Sequence, residues 1–380
     1  MFDGRLEVQP PLSEAALSRV PARRGVVGLL AEADAPILLL TAGRIRDRLR
    51  TRLREPPEEG PRKTADLRSI TRAVVWTLAD GHFETDLCFL ELARALWPKR
   101  YPSLLGWKPP WFVHADPDAD APHFVVRRDV LAEKGRWVGP FASERSARRF
   151  VDIVRDAFDL CRHVQCLRQA PHAETCAYGQ MGRCLRPCDG TTGMDAYRDA
   201  VRRAADLAEG RREDRRRELE RRMAEASAEL AFERAAGLKK RLERLSMLDA
   251  AEFELVRPAE SFRYVMIQRG PGRREAKTFL IDRGRVAMGP LLDYPPVREQ
   301  IDALAEAMAG FAAVGGGVGD IERWRMGLAT AFLFSGDRRR GLMLPWDGSL
   351  DPADTADRIE EARDRLGLRA PTPPRTEEDG

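Results

Sequence analysis

The sequence predicts an α+β chain assembled from several small units rather than around one large core. Three observations point there. Short apolar, β-rich runs alternate with helical stretches near both ends of the chain. Five of the six cysteines fall within residues 161–188, and a long, densely charged helical stretch follows them. With 380 residues and 42.8 kDa there is room for two or three domains. A hydrophobic content of 43% supports real cores, and no apolar run approaches the roughly 18 residues of a membrane span. The start, MFDGRLEVQPPLSE, lacks the basic-then-apolar pattern of a leader, so a cytoplasmic protein with no membrane partner is expected.

Each element has its own signal. GVVGLLAE (25–32) and APILLLTAG (35–43) read as a hairpin turning at Ala33 and Asp34. Ile45, Leu49 and Leu53 then mark a helix with one narrow apolar stripe. PPEEGPRK (56–63) is a breaker-rich loop, and TRAVVWTLAD (71–80) a third strand. Leu87, Leu90, Ala93 and Trp97 space a helix that Pro98 stops. WFVHAD (111–116) and HFVVRRDV (123–130) suggest a further hairpin. A helix over 143–161, capped by Ser143, carries Phe150, Ile153, Val154, Ala157 and Phe158 on its buried face.

Beyond the cysteines, Tyr197, Val201, Ala204 and Ala208 line one helix, which Gly210 breaks. A second is expected from about Glu213 to Leu248, with Leu219, Met223, Ala226, Leu230, Leu238, Leu242 and Leu245 inward. The pair reads as an antiparallel, projecting helical hairpin whose outer faces alternate Arg and Glu. FRYVMIQRG (262–270) and KTFLIDRGRVAMG (277–289) read as strands around the turn GPGRRE. Helices follow at 297–309 and 319–334, RGLMLPW (340–346) returns as an edge strand, and APTPPRTEEDG ends the chain as a disordered tail. GGGVG (315–319) lacks dinucleotide-binding spacing and reads as a linker.

The cysteine run carries the most chemistry. Thiolates gathered in a turn-rich loop suit a soft metal or an iron–sulfur cluster, because several sulfurs must converge on one centre. Cys176, Cys184 and Cys188 are spaced C-x7-C-x3-C, with Cys161 or Cys166 upstream as the fourth donor. Four thiolates around zinc are the competing centre, although a C-x2-C knuckle is absent. Disulfides would need an oxidising compartment. The formal charge of +4 hides 64 basic against 60 acidic residues, so only local clusters can select a partner. Arginine greatly outnumbers lysine, which suits bidentate phosphate contacts or reflects a GC-rich genome. Segments 44–54 and 211–222 are the Arg-rich candidates for contacting DNA.

Several phrases in order resemble the UvrC family, the nuclease subunit of bacterial nucleotide excision repair. They are GPF (139–141), the helix ending FDLC, CAYGQMGRCLRPCDG, the helix at Tyr197 and LAFERAAGLKKRLERL. Cys176, Gln180, Gly182, Arg183, Cys184, Pro187 and Cys188 match the family's cysteine pattern, with Tyr178 one position early. Phe232, Glu233, Ala235 and Ala236 match its F-E-x-A-A segment. The resemblance implies a [4Fe-4S] cluster, with zinc as the alternative, on Cys161, Cys176, Cys184 and Cys188. It also implies a UVR motif, in which Phe232, Glu233, Ala235 and Ala236 meet a UvrB-like protein.

The N-terminal part resembles the family's GIY-YIG nuclease domain faintly. Arg48 matches its catalytic arginine and Glu91 its metal-binding glutamate, for Mg2+ or Mn2+. Val27 and Leu38 stand where the family has tyrosines, and Leu40 replaces a glycine. A carboxylate-held metal and a cation are therefore retained, while the hydroxyl that positions water is lost. Thr41 or His82 could stand in for it. The RNase H-like and helix-hairpin-helix parts of full-length UvrC are not expected after the UVR segment, so at most one of two incisions is implied. The expected organisation is a divergent GIY-YIG-like domain at 1–135, a helix plus cysteine region at 136–193 and a UVR helical hairpin at 194–250. A small α+β domain at 258–346 and a helix with a disordered tail at 347–380 complete it.

Overall fold

The computed structural model describes residues 2–53, 66–335 and 341–369. The loop expected at 56–63, the tail from 370 onward and Arg340 of the expected edge strand lie outside those residues. The chain divides into two compact units. One comprises Met1–Lys108, Arg263–Gly315 and Ala331–Gly380; the other comprises Pro109–Phe262 and Gly316–Thr330. This grouping differs from the expected blocks 1–135 and 258–346. The hairpin at 111–130 belongs with the cysteine region, because two strands alone cannot bury a face and need a third strand and a helix to do so.

The first unit begins with β1 (Gly4–Glu7), α1 (Glu14–Ser18), β2 (Gly25–Leu30), β3 (Pro36–Ala42), α2 (Ile45–Arg52), β4 (Ala73–Leu78), α3 (His82–Leu96) and α4 (Tyr101–Leu104). Its antiparallel sheet runs β1-β4-β2-β3, with Val27 opposite Leu40 and Trp76, and Leu29 opposite Leu38 and Val74. Alternation puts Val27, Leu29 and Val74 on one face, where they cluster with Ile45 and Leu49 of α2 and Leu17 of α1. The hairpin turns where expected, with Ala33 and Asp34 both at positive φ. β1 and α1 escaped sequence reading because four or five residues are too few to display a period.

The second unit contains β5 (Trp111–Ala115), β6 (Phe124–Arg127), β7 (Arg136–Phe141) and α5 (Glu144–Phe158). The short α6 (Val164–Arg168) and α7 (Ala177–Gln180) follow, then α8 (Met194–Ala208), α9 (Arg212–Ala228), α10 (Phe232–Ser246) and β8 (Arg257–Pro258). The sheet order is β6-β5-β7-β8. α5 packs its apolar face onto it, with Phe150 5.1 Å from Phe141 and 5.4 Å from Phe253. Ser143 caps α5 as expected, its hydroxyl accepting from Ser146 N at 3.1 Å.

The single helix expected over 213–248 is two helices, and the hairpin is formed by α9 and α10 rather than by α8 and one long helix. Leu230 adopts a left-handed φ of 57°. Its N–H reaches Ser227 O at 3.1 Å, and Ala231 N–H reaches Ala226 O at 2.9 Å. That is a Schellman closure with leucine where glycine usually stands, so no breaker marks it in the sequence. α10 does not project freely either: Leu238 and Leu245 are buried in the unit's core with α5, and Arg241 pairs with Asp159 at 2.7 Å.

The first unit resumes with β9 (Arg263–Arg269), β10 (Glu275–Asp282), β11 (Arg285–Met288), β12 (Leu292–Asp293) and α11 (Arg298–Ala313). α12 (Asp320–Leu333), β13 (Leu342–Pro345), α13 (Pro352–Glu361) and α14 (Arg363–Leu366) complete the fold; residues 316–330 group with the second unit. β13 is an edge strand as expected, in the order β11-β10-β9-β13. KTFLIDRGRVAMG proves to be two strands, joined by Arg283 and Gly284 at φ 49° and 86°, a primed hairpin turn. Within this unit Phe83 of α3 meets Phe279 at 5.3 Å, and Lys277 pairs with Asp80 at 2.8 Å and Glu84 at 2.6 Å. Among the described residues no helix is long and apolar enough to cross a membrane.

Candidate functional site

The cysteine segment hangs from the end of α5. Asp159 takes a left-handed φ of 51°, turning the chain out of the helix, and its carbonyl accepts from Leu185 N at 2.8 Å. That bond holds the two arms of the segment side by side. Cys161 follows, buried, with its N–H donating to the Tyr197 hydroxyl at 3.1 Å. Tyr197 is fully buried on α8, so a helix beyond the loop fixes the first cysteine.

The Cys161 sulfur donates to His163 O at 3.4 Å. Its interaction with the neighbouring Cys184 pushes the Cys161 thiol up and lowers the pKa of Cys184 to about 7. Arg186 N also donates to the Cys184 sulfur at 3.4 Å. Cys188 is buried, and its pKa is raised by burial and then by the negative potential of Asp189, Cys184, Cys166 and Cys176. The five cysteines therefore share one neighbourhood, with Cys161, Cys184 and Cys188 inside it and Cys166 and Cys176 half-buried. Cys88 stands apart on α3 in the other unit, its thiol pushed up to about 11 by burial and by Glu84.

A polar clamp that sequence reading missed sets the spacing of the outer cysteines. Thr175, beside Cys176, bonds to the carboxylate of Asp189, beside Cys188. Arg186 bridges both, reaching Asp189 at 2.7 Å and Thr175 at 3.1 Å. Thr191 N donates to the other Asp189 oxygen at 3.0 Å. The Arg-x-x-Asp spacing of 186 and 189 was the available signal. The donor set suits a thiophilic centre in its chemistry and burial. It is not a closed shell, however: among the described residues no group of three or more His, Cys, Asp or Glu could hold a metal ion as placed.

The hairpin presents a different surface at its tip. Leu219, Ala226, Leu238 and Leu245 seal α9 against α10, and Ala235 packs partly against them. Leu230 is 71% exposed and Phe232 67%, with Glu233 and Ala236 also exposed. Of the four predicted partner-binding residues, three face solvent and Ala235 closes the hairpin.

The nuclease candidates lie on two helices of the other unit. Arg48 lies on the exposed side of α2 and Glu91 is half-buried on α3. Val27 is fully buried and Leu38 packs against the same apolar cluster, together with Ile45 and Leu49. At the positions where the resemblance implies tyrosines, the sheet holds apolar side chains. Thr41 is exposed on β3 and His82 opens α3. Segment 211–222 is also unlike a phosphate surface. Arg212 and Arg216 pair with Asp249, Arg217 with Glu213 and Arg221 with Glu225, while Arg215 is buried against Ala157 O.

The family model for the UvrC/Cho excinuclease middle domain matches residues 110–207, the stretch from β5 through the cysteine segment to α8. UvrABC system protein C of Moorella thermoacetica is 28% identical over 60% of this chain and 37% of its own length. Residues 110–207 are thus similar to the middle domain of the UvrC/Cho excinucleases. The Xanthomonas campestris pv. campestris (strain B100) homologue is 28% identical over 66% of this chain and 39% of its own. That of Desulforudis audaxviator is 32% identical over 50% and 30%. The chain thus matches less than two fifths of the length of these relatives. No solved structure matches it.

Proposed function

We propose that this chain acts in nucleotide excision repair, binding DNA and a UvrB-type partner, with its cysteine segment holding a [4Fe-4S] cluster. The observation that carries the reading is the order of two intact devices, the cysteine segment and the α9–α10 hairpin, within a chain similar to the UvrC/Cho excinucleases. The docking part is supported by the tip, where Phe232 and Leu230 stay in solvent while Leu219, Ala226, Leu238 and Leu245 are buried between the helices. An exposed aromatic flanked by small residues gives a partner helix both an anchor and room to approach.

Cys161, Cys184, Cys188 and Cys176 would hold the cluster, with Cys166 the alternative to Cys161. Four sulfurs around a cluster sit farther apart than four around one zinc ion, which suits neighbouring rather than converging thiols. When bound, the cluster supplies a cross-link between the end of α5 and the Cys176–Cys188 arm. The chain's own residues do the positioning: Tyr197 holds Cys161, while Thr175, Arg186 and Asp189 set the outer arm.

Single-strand incision, with Arg48 and Glu91 acting on a Mg2+- or Mn2+-bound phosphate, is the enzymatic form of this reading. The filling of the tyrosine positions by Val27 and Leu38 favours a second form, a DNA- and protein-binding scaffold without cleavage. Nicking of damaged duplex with UvrA and UvrB present, wild type against Glu91→Ala, decides between them. The expected result is no nicking by either protein. Cleavage that Glu91→Ala abolishes would restore the nuclease, and cleavage that it leaves untouched would move the site elsewhere.

A further inference from the structure

Between α5, the cysteine segment and α10 the second unit carries a basic groove used by neither the cysteine centre nor the hairpin tip. It is open, about 920 Å3 in volume, and its charged lining is six arginines against Glu144, Asp152 and Asp156. A second hollow of about 410 Å3 continues past Arg183 and Arg244 to Lys240 and Arg241. The acids are neutralised from within. Arg162 and Arg244 both bond Asp156, Arg162 reaches Asp152 at 3.1 Å, and Arg148 bonds Glu144 at 2.8 Å. Arg145, Arg183 and Lys240 are left exposed and, among the described residues, without an ion-pair partner.

We propose that this groove binds the phosphodiester backbone of a nucleic acid, with Arg145 and Arg183 in direct contact with phosphates. The proposal rests on the DNA-binding reading above and gives it a location. Arg145 and Arg149 are one helical repeat apart, about 6 Å along the axis of α5, with Arg149 held by Glu252 at 2.6 Å and Arg145 free to meet a phosphate. Such a row fits a polyanion with evenly spaced charges better than one small anion, and an open groove admits a continuous chain. Tyr178 is the aromatic residue of the lining, but Arg162 lies over its ring at 5.2 Å and His163 stands beside it at 5.6 Å. With its ring so covered it offers no free stacking platform, so contacts go to phosphate and binding is independent of sequence.

The groove also gives the cysteine centre a mechanical task. Arg183 immediately precedes Cys184, and its N–H donates to Tyr178 O at 2.9 Å. Whatever orders Cys184 therefore aims Arg183 at the bound backbone.

Fluorescence anisotropy of the full chain tests this, using a labelled duplex and its single strand across a salt series. The Arg145→Ala/Arg183→Ala variant alters exposed, unpaired side chains, and its melting curve should overlay wild type. Its affinity should fall about tenfold or more, and the log–log salt slope should become shallower by about two. Lys240→Glu should weaken binding independently, whereas Arg217→Ala/Arg221→Ala on the paired face of α9 should change nothing. Wild-type affinity and slope in the groove variants would overturn the groove and leave DNA binding standing elsewhere. Absence of any binding by wild type would overturn the DNA-binding reading and the groove together. Groove-dependent capture of polyglutamate without DNA binding would overturn the nucleic-acid assignment in favour of an acidic protein partner.

Discussion

In the N-terminal sheet the positions where the resemblance would put tyrosines hold Val27 and Leu38, absorbed into an apolar cluster with Ile45 and Leu49. In the cysteine segment the family's cysteines, Gly182, Arg183 and Pro187 all stand, held by Tyr197 and the Thr175–Arg186–Asp189 clamp. The two regions differ because their stability has different sources. A sheet face next to a core gains from an aliphatic chain in place of a polar ring. The cysteine loop anchors Leu160 and Leu167 in the unit's core, with Val164, Tyr178 and Leu185 packed against it. Its outer arm is held instead by the polar cross-links among Thr175, Arg186 and Asp189.

Substitutions can break or sharpen that contrast. Cys184→Ser should have the largest effect, removing visible absorbance and lowering the melting temperature by roughly 5 °C or more, because a group that binds only the folded chain stabilises it. An unchanged spectrum and melt would mean the loop does not depend on its sulfur. Val27→Tyr puts a large ring into a closed cluster and should cost about 1–3 kcal/mol in urea unfolding without any gain in nicking. A stable variant that cleaves DNA would show that the sheet still has the room and purpose of a nuclease. Tyr197→Phe leaves the buried Cys161 N–H unpaired, at about 1–3 kcal/mol, and should loosen Cys161 to thiol-specific alkylation in the protein without its cofactor. Phe232→Ala should change stability by no more than about 0.5 kcal/mol, yet weaken binding to a UvrB-type partner in calorimetry. Equal affinity would assign the exposed ring no docking role.

Much of this was legible from residue patterns. The hairpin at 25–42, α5 with its Ser143 cap, and the β13 edge strand follow from period, capping and turn chemistry. The break at Leu230 was not legible, because a leucine occupies the left-handed position and continuous helix formers surround it. Nor was the division at Lys108, since the boundary depends on which sheet α5 covers, a fact of packing rather than of local sequence. At the site, the cysteines announced themselves by density. The groove did not, because pairing decides which arginines are available: α9 carries as many arginines as the groove, yet closes its charges on itself.

The most direct test of the account is anaerobic purification of the full chain with a visible spectrum and iron, sulfide and zinc analysis. The account predicts a brown protein with about four iron and four sulfide per chain, lost in Cys184→Ser. A colourless protein containing a single zinc, or no metal at all with an unchanged melt, would contradict it.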